Sequence, residues 1–280
     1  MAFIPTQDRG LFAVDPEAAR SKGKELSEAY NSAAPFPHVV IDDFLPRPVI
    51  DYCLEHFPRE LDPEGREYDR DQERYKRSFN PDFLDDPQLR ALFYTFNARP
   101  FISVIENITG IKGLIPDPHF LGGGFHEIGQ GGHLSMHADF NHHKPMGLER
   151  RINALIYLND DWRDEYGGQL ELWDSDMNER VVSVVPEANR CVIFTTTQES
   201  MHGNPNPIAH PERKPRRSIA LYYYTSTWDD EKKSKSTQFH ARPGTEDRTD
   251  WKVKSREFVR DYVPPAFQKN ATRLVNRLIK

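Results

Sequence analysis

The sequence predicts a mainly β protein with flanking helices, built on an antiparallel barrel or sandwich. Three observations predict it. From about residue 115, short β-rich runs follow one another: HFLGGGFHEI, HLSMHADF, RINALIYL, QLELW, RVVSVV, RCVIFTT and RSIALYYYT. Gly-Gly pairs at 131–132 and 167–168 punctuate these runs, a spacing that fits antiparallel strands and not βαβ units. Proline (22 residues) and aromatics (11%) are frequent, which suits a loop-rich β fold better than a helical bundle.

The elements follow in order. Residues 1–15 read as an irregular arm and 16–34 as a polar helix. Val39 to Ile41 forms a short apolar strand, and Pro46 and Pro48 open a helix with apolar residues at helical spacing. Residues 59–82 are densely charged and read as a solvated loop, of the kind that often serves as a lid. Residues 86–109 read as helix interrupted at Pro100, with Asp86 as cap and Gly110 just past the end. Residues 229–280 are charged and then helical. Phe267, Leu274, Val275, Leu278 and Ile279 form a stripe there, suited to pack on the sheet or on a partner subunit. No internal repeat is present. The expected organisation is one domain over 1–280: an N-terminal helical and lid region (1–114), a β core (115–228) and a C-terminal helical appendage (229–280).

Composition excludes several classes. At 280 residues, 37% hydrophobic and 29% charged, the chain is neither disordered nor collagen-like nor a coiled coil. The net charge of −6 carries no basic excess, so nucleic acid is not an expected partner. Cys53 and Cys191 sit among apolar neighbours and read as small buried hydrophobes, not a disulfide framework. No run of about 18 apolar residues exists, so no membrane span is expected. MAFIPTQDRGLF lacks the basic-then-apolar pattern of a secretory signal, and a cytoplasmic location is the expectation.

The chemistry-bearing segment is His137-Ala138-Asp139. On a strand, residues two apart share a face, so the imidazole and the carboxylate project together. His202, in Ser-Met-His-Gly, is the candidate third ligand. Two histidines and a carboxylate make the facial triad of non-heme iron(II) sites, which leaves positions open for oxygen and a bidentate 2-oxo acid. His142 and His143 read as loop residues, and His133 and His210 as bystanders. Fourteen residues past His202 lies Arg216-Arg217-Ser218. Arg216 and Ser218 share one face and Arg217 takes the other. An arginine inside a barrel mouth needs an anionic partner, which the distal carboxylate of 2-oxoglutarate would supply. The alternative is that both arginines are rim charges paired with acidic residues.

In these features the chain resembles the prolyl-4-hydroxylase-like branch of the 2-oxoglutarate/Fe(II)-dependent dioxygenases. The resemblance covers about residues 119–226, through GGFHEIGQGGHLSMHADFNHH, RRINALIYLNDDW, EYGGQLELWD and RRSIALYYYT in the expected order. It implies a double-stranded β-helix (jelly roll) core, Fe(II) held by His137, Asp139 and His202, 2-oxoglutarate as cosubstrate, and O2. Tyr157 matches the tyrosine that often contacts the distal carboxylate of 2-oxoglutarate. By strand parity Asn153 and Leu155 face with Tyr157, so Asn153 is expected to contact cosubstrate or substrate. His126, on the strand before the triad, either contacts cosubstrate or substrate or packs. Trp173 reads as core, and Trp228 as structural or bordering the mouth. Halogenating relatives replace the triad carboxylate with a small residue. Asp139 is present, so hydroxylation is the implied outcome.

The expected function is therefore hydroxylation of an unactivated C–H bond, in a small polar molecule or amino acid, with succinate and CO2 as coproducts. A prolyl hydroxylase acting on a peptide or protein is the alternative within the class. Outside it stand a metal-dependent jelly-roll enzyme without 2-oxoglutarate and a non-catalytic ligand-binding jelly-roll module. The C-terminal stripe permits a homodimer.

Overall fold

A computed structural model describes residues 2–6, 12–63, 65–229, 231–245, 247 and 250–278. The polar helix expected over 16–34 is broken at Gly23 into α1 (Pro16–Ala19), which Asp15 caps, and α2 (Ser27–Ser32). Strand β1 (His38–Ile41) and helix α3 (Arg47–Glu55), with Pro48 in its first turn, follow as expected.

The charged segment 59–82 is not a loop. It forms a hairpin of β2 (Arg66–Arg70) and β3 (Glu73–Phe79), and β3 pairs with the central strand of the sheet. Strand alternation was hidden because the inward positions of β3 are themselves polar. Glu73 is buried and paired with both Arg70 and Lys76, which removes the cost of its charge. Helices α4 (Pro87–Phe96) and α5 (Arg99–Thr109) divide at Asn97-Ala98, and Pro100 begins the second helix instead of kinking one long helix. Asp86 accepts hydrogen bonds from Gln88 N and Leu89 N, the cap read from sequence.

The remaining strands are β4 (Ile115–Pro116), β5 (Gly124–Ala138), β6 (His142–His143), β7 (Leu148–Tyr157), β8 (Leu170–Trp173), β9 (Arg180–Val184), β10 (Cys191–Thr195), β11 (Met201–Asn204), β12 (Arg216–Thr225) and β13 (Gln238–Phe239). Helices α6 (Trp251–Tyr262) and α7 (Pro265–Leu278) end the chain. The main path runs β1-β10-β7-β12-β5-β11-β8-β9, and its pairings are antiparallel. Two runs that read as separate strands are one, β5. Its first part pairs with β12 and its second with β11, so the sheet curls over itself as the expected jelly roll.

One face of the curl packs on the helices. Phe79, Phe125, Ile152, Ala154, Ile156, Ile219, Leu221 and Tyr223 meet Leu89, Phe93, Phe96, Phe101 and Ile105 in one buried cluster. Strand alternation then turns the residues of opposite parity inward: His126, Asn153, Tyr157, Arg216 and Ser218. Cys53 and Cys191 are buried free thiols. Of the two partners expected for the C-terminal stripe, the sheet is not one for its exposed residues. Phe267 and Leu274 are 64% and 58% exposed, so they do not pack on the sheet. The side chain of Leu278, and Ile279, lie outside the described residues. No described helix is long and apolar enough to cross a membrane.

Two glycines with positive φ separate backbone strain from crowding. At Gly124 (φ +111°) an added Cβ would lie 2.2 Å from the Phe79 carbonyl oxygen, whereas at Gly110 (φ +76°) nothing lies within 4 Å. Gly110→Ala is expected to cost about 1 kcal/mol for its left-handed backbone alone. Gly124→Ala adds overpacking between β3 and β5 and is expected to cost about 3 kcal/mol or more. Urea unfolding midpoints of the two variants check the difference, and equal shifts would contradict it.

Candidate metal centre

The end of β5 and the start of β11 lie side by side, with His137 and His202 in register. Asp139 follows two residues after His137. One ligand atom from each of the three lies within 4.8 Å of the others. Nε2 of His137 is 3.7 Å from Asp139 Oδ1, and Nε2 of His202 is 3.3 Å from Oδ2. The ring orientation follows from the backbone. Nδ1 of His137 meets the Ser135 carbonyl at 2.8 Å, and Nδ1 of His202 meets the Ser200 carbonyl at 2.8 Å. A carbonyl oxygen only accepts, so each Nδ1 carries a proton and each Nε2 is turned to the centre.

Burial, then the nearby His202, pushes the His137 imidazole down to about 4, so it stays neutral at ordinary pH. For Asp139 burial acts upward, but Arg150, then His202 and His137, hold its carboxyl well below the usual range. Two imidazoles with Nε2 turned inward beside an ionised carboxylate fit a divalent transition metal. Phe194 and Phe239 wall the centre, their rings 4.7 Å from His202 and 5.5 Å from His137.

Asp139 is supported by side chains that sequence reasoning did not assemble. Asn153 Nδ2 donates to Asp139 Oδ2 at 2.7 Å, and Arg150 Nη2 lies 3.0 Å from the same oxygen. Arg150 also donates to Asn153 Oδ1, through Nε at 3.1 Å and Nη2 at 2.7 Å. Its guanidinium stacks on Tyr222 at 3.6 Å and on Phe140 at 4.4 Å. Asn153, expected to touch cosubstrate or substrate, has both ends of its amide engaged by Asp139 and Arg150. Simple alternation puts Arg150 on the Ile152 face, toward the helices. A register shift opposite Tyr223 and Tyr224 turns it inward instead, and no sequence pattern marks that shift.

Arg216, Ser218 and Tyr157 do come together. Ser218 pairs with Tyr157 on one side and His126 on the other. Arg216 is buried, and its Nε donates to the Gly168 carbonyl at 2.7 Å. A Cβ at Gly168 would fall 3.0 Å from Arg216 Cδ and 2.4 Å from Ile208 Cδ1, which accounts for the second Gly-Gly pair. No carboxylate lies within ion-pair distance of Arg216 among the described residues, and burial lowers its pKa. The Tyr157 hydroxyl and His126 Nε2 are buried without a hydrogen-bond partner. Burial, then Lys76, pushes His126 down to about 3. A buried guanidinium lacking a counter-ion, beside an unpaired phenol and imidazole, is a pocket suited to an anion. Arg217 faces the other way, pairing with Glu127 at 2.9 Å over the Phe57 ring.

Lys76 falls in the segment expected to be a solvated loop. It belongs to this interior, its side chain 13% exposed and 3.1 Å from Glu73. The other histidines stay apart from the triad. His142 stacks on Trp228, His143 pairs with buried Asp117 at 3.0 Å, His133 meets the Asp71 carbonyl, and His210 packs on Trp162 and Tyr166. Trp173 packs partly buried against a methionine cluster of Met136, Met177 and Met201.

Residues 123–224 match the family described as the 2OG-Fe(II) oxygenase superfamily. No curated protein matches the sequence. Among solved structures, a prolyl hydroxylase from Trichoplax adhaerens, in complex with a hypoxia inducible factor oxygen degradation domain peptide fragment, is similar. It shares 19% identity at a TM-score of 0.50, over 74% of this chain and 91% of that one. A Pseudomonas putida prolyl-4-hydroxylase shares 18% identity (TM-score 0.49; 71% and 98% covered). HygX from Streptomyces hygroscopicus, with nickel and 2-oxoglutarate bound, shares 12% (TM-score 0.49; 72% and 87% covered). At such identities the likeness to the Trichoplax protein shows the fold.

The buried neutral histidines set an acid limit on the metal-free protein. The folded-state pKa values of His137 and His126, about 4 and about 3, lie below their ordinary 6.5. Between these values the unfolded chain takes up protons that the folded one refuses. Stability from these groups is therefore complete above pH about 6.5 and is lost as pH falls toward 3. The melting temperature of metal-free protein is expected to drop over that window, and less steeply in His126→Gln. A flat profile would contradict neutral burial of these rings.

Proposed function

We propose that this chain hydroxylates an unactivated C–H bond with 2-oxoglutarate as cosubstrate, a reading supported by the match of residues 123–224 to the 2OG-Fe(II) oxygenase superfamily. One observation carries this most: a buried triad with both Nε2 atoms turned to its centre lies in the same barrel as a buried arginine that has no counter-ion among the described residues.

His137, Asp139 and His202 would hold Fe(II), and Arg216, Ser218 and Tyr157 would hold the far carboxylate of 2-oxoglutarate. When bound, these groups with O2 supply the oxidation, converting R–H to R–OH and 2-oxoglutarate to succinate and CO2. The residues do the rest. The carbonyls of Ser135 and Ser200 keep the imidazoles aimed inward. Arg216 fixes one end of the cosubstrate, so that its 2-oxo acid end is presented to the triad and not to solvent. Phe194 and Phe239 keep water from the histidine faces. Asp139 is a ligand and not a base, since its carboxyl is held far below the range useful for proton abstraction.

For the substrate, a small polar molecule or amino acid is the proposal. The β2–β3 hairpin, rich in charge, borders the barrel and sends Lys76 into it, which supports a polar guest.

Succinate formation by Fe(II)-loaded protein with 2-oxoglutarate and O2 tests both levels, across a panel of amino acids, metabolites and prolyl peptides. Stimulation by a small polar compound, lost in His202→Ala, is expected. Stimulation by prolyl peptides alone would overturn the substrate class and leave the oxygenase standing. No succinate and no iron binding would point to a non-catalytic module. Arg216→Ala is expected to raise the 2-oxoglutarate requirement about tenfold to a hundredfold, from lost charge-assisted hydrogen bonds. Arg217→Ala is expected to leave it within about threefold. The reverse order would move the anchor to Arg217.

A further inference from the structure

Asp139 lies just beyond the last residue of β5, where the ladder no longer fixes it. Side chains do so instead, and both act on the same oxygen. Asn153 donates to Oδ2 at 2.7 Å and Arg150 approaches it at 3.0 Å. Oδ1 takes no hydrogen bond among the described residues and stands 3.7 Å from Nε2 of His137. Arg150 has little freedom. Its side chain is 1% exposed, stacked on Tyr222 and Phe140, and doubly bonded to Asn153 Oδ1.

We propose that Arg150 and Asn153 are positioning residues that fix Asp139 as a one-oxygen ligand, and that Arg150 keeps the triad assembled before metal arrives. The inference rests on the triad being the metal site. Two consequences follow from electrostatics. A buried carboxylate without a counter-cation is costly, so in a metal-free chain the positive charge must come from the protein, and Arg150 is the cation in place. A carboxylate with one oxygen tied to two donors offers a cation the other oxygen. That preserves three open positions on an octahedral ion, two of which a bidentate oxo acid needs.

The test uses Co(II) as the probe with full-length, metal-free protein. Thermal melts with and without Co(II), Co(II) visible absorption, and 2-oxoglutarate affinity of the Co(II) protein are compared for wild type, Arg150→Met, Arg150→Lys, Asn153→Leu and His202→Ala. In Arg150→Met the metal-free protein should melt lower. Co(II) should raise its melting temperature by about 5 °C more than it raises wild type, because the metal replaces the missing charge. Arg150→Lys should recover most of the difference. In Asn153→Leu, Oδ2 loses one of its two donors and keeps only Arg150, which should alter the Co(II) absorption and weaken 2-oxoglutarate about tenfold. Equal Co(II) increments in wild type and Arg150→Met would overturn the pre-assembly role. An unchanged spectrum and affinity in Asn153→Leu would overturn the one-oxygen role, and this variant, which keeps the ion pair, decides if Arg150→Met does not fold. Unaltered Co(II) binding in His202→Ala would instead refute the triad as the metal site.

Discussion

The ionised carboxylate of Asp139, 11% exposed inside the barrel, is the constraint that the rest of the site satisfies. A buried charge must be compensated or it neutralises. Here compensation comes from a cation that is itself buried and itself needs support. Arg150 receives that support from Asn153 and from two aromatic faces. Burial keeps His137 neutral, and backbone carbonyls fix the ring orientation of both histidines. Each group is therefore ready for a metal without being strained by its absence.

The anion pocket is the opposite electrostatic case. Arg216 is as buried as the triad, but among the described residues it meets the Gly168 carbonyl and Tyr157 and no carboxylate. Tyr157 and His126 add unpaired polar atoms. A protein that tolerates this much unsatisfied polarity at one place does so where a ligand supplies the missing partner. The two environments lie on inward faces of strands joined through β5, which contributes to both layers of the curl. Continuity of that strand sets the distance between the triad and the pocket around Arg216.

Much of this was legible in the sequence, and the reasons are periodic. Arg216-x-Ser218 can be read because a strand repeats every two residues, and His137-x-Asp139 keeps that spacing although Asp139 lies one residue past β5. The Asp86 cap and the Gly-Gly pair beside Arg216 have local chemistry that a sequence displays. What was not legible broke the period or reversed its polarity. Arg150 turns inward through a register shift. Lys76 sits on a strand whose inward positions are polar, so residues 66–79 carry no apolar alternation to read. The Gly-rich bend within β5 looks like a turn between two strands but lies within one. Asn153 was placed on the correct face, yet parity alone could not decide between a ligand contact and a bond to Asp139. The C-terminal stripe is amphipathic as read, but Phe267 and Leu274 remain exposed in the single chain.

The most direct measurement is a crystal structure of the protein with Fe(II) and 2-oxoglutarate, prepared without oxygen. The expected result is one metal bound by Nε2 of His137, Nε2 of His202 and a single oxygen of Asp139, with the far carboxylate of 2-oxoglutarate on Arg216, Ser218 and Tyr157. A metal held elsewhere, or a cosubstrate carboxylate seated away from Arg216, would contradict it.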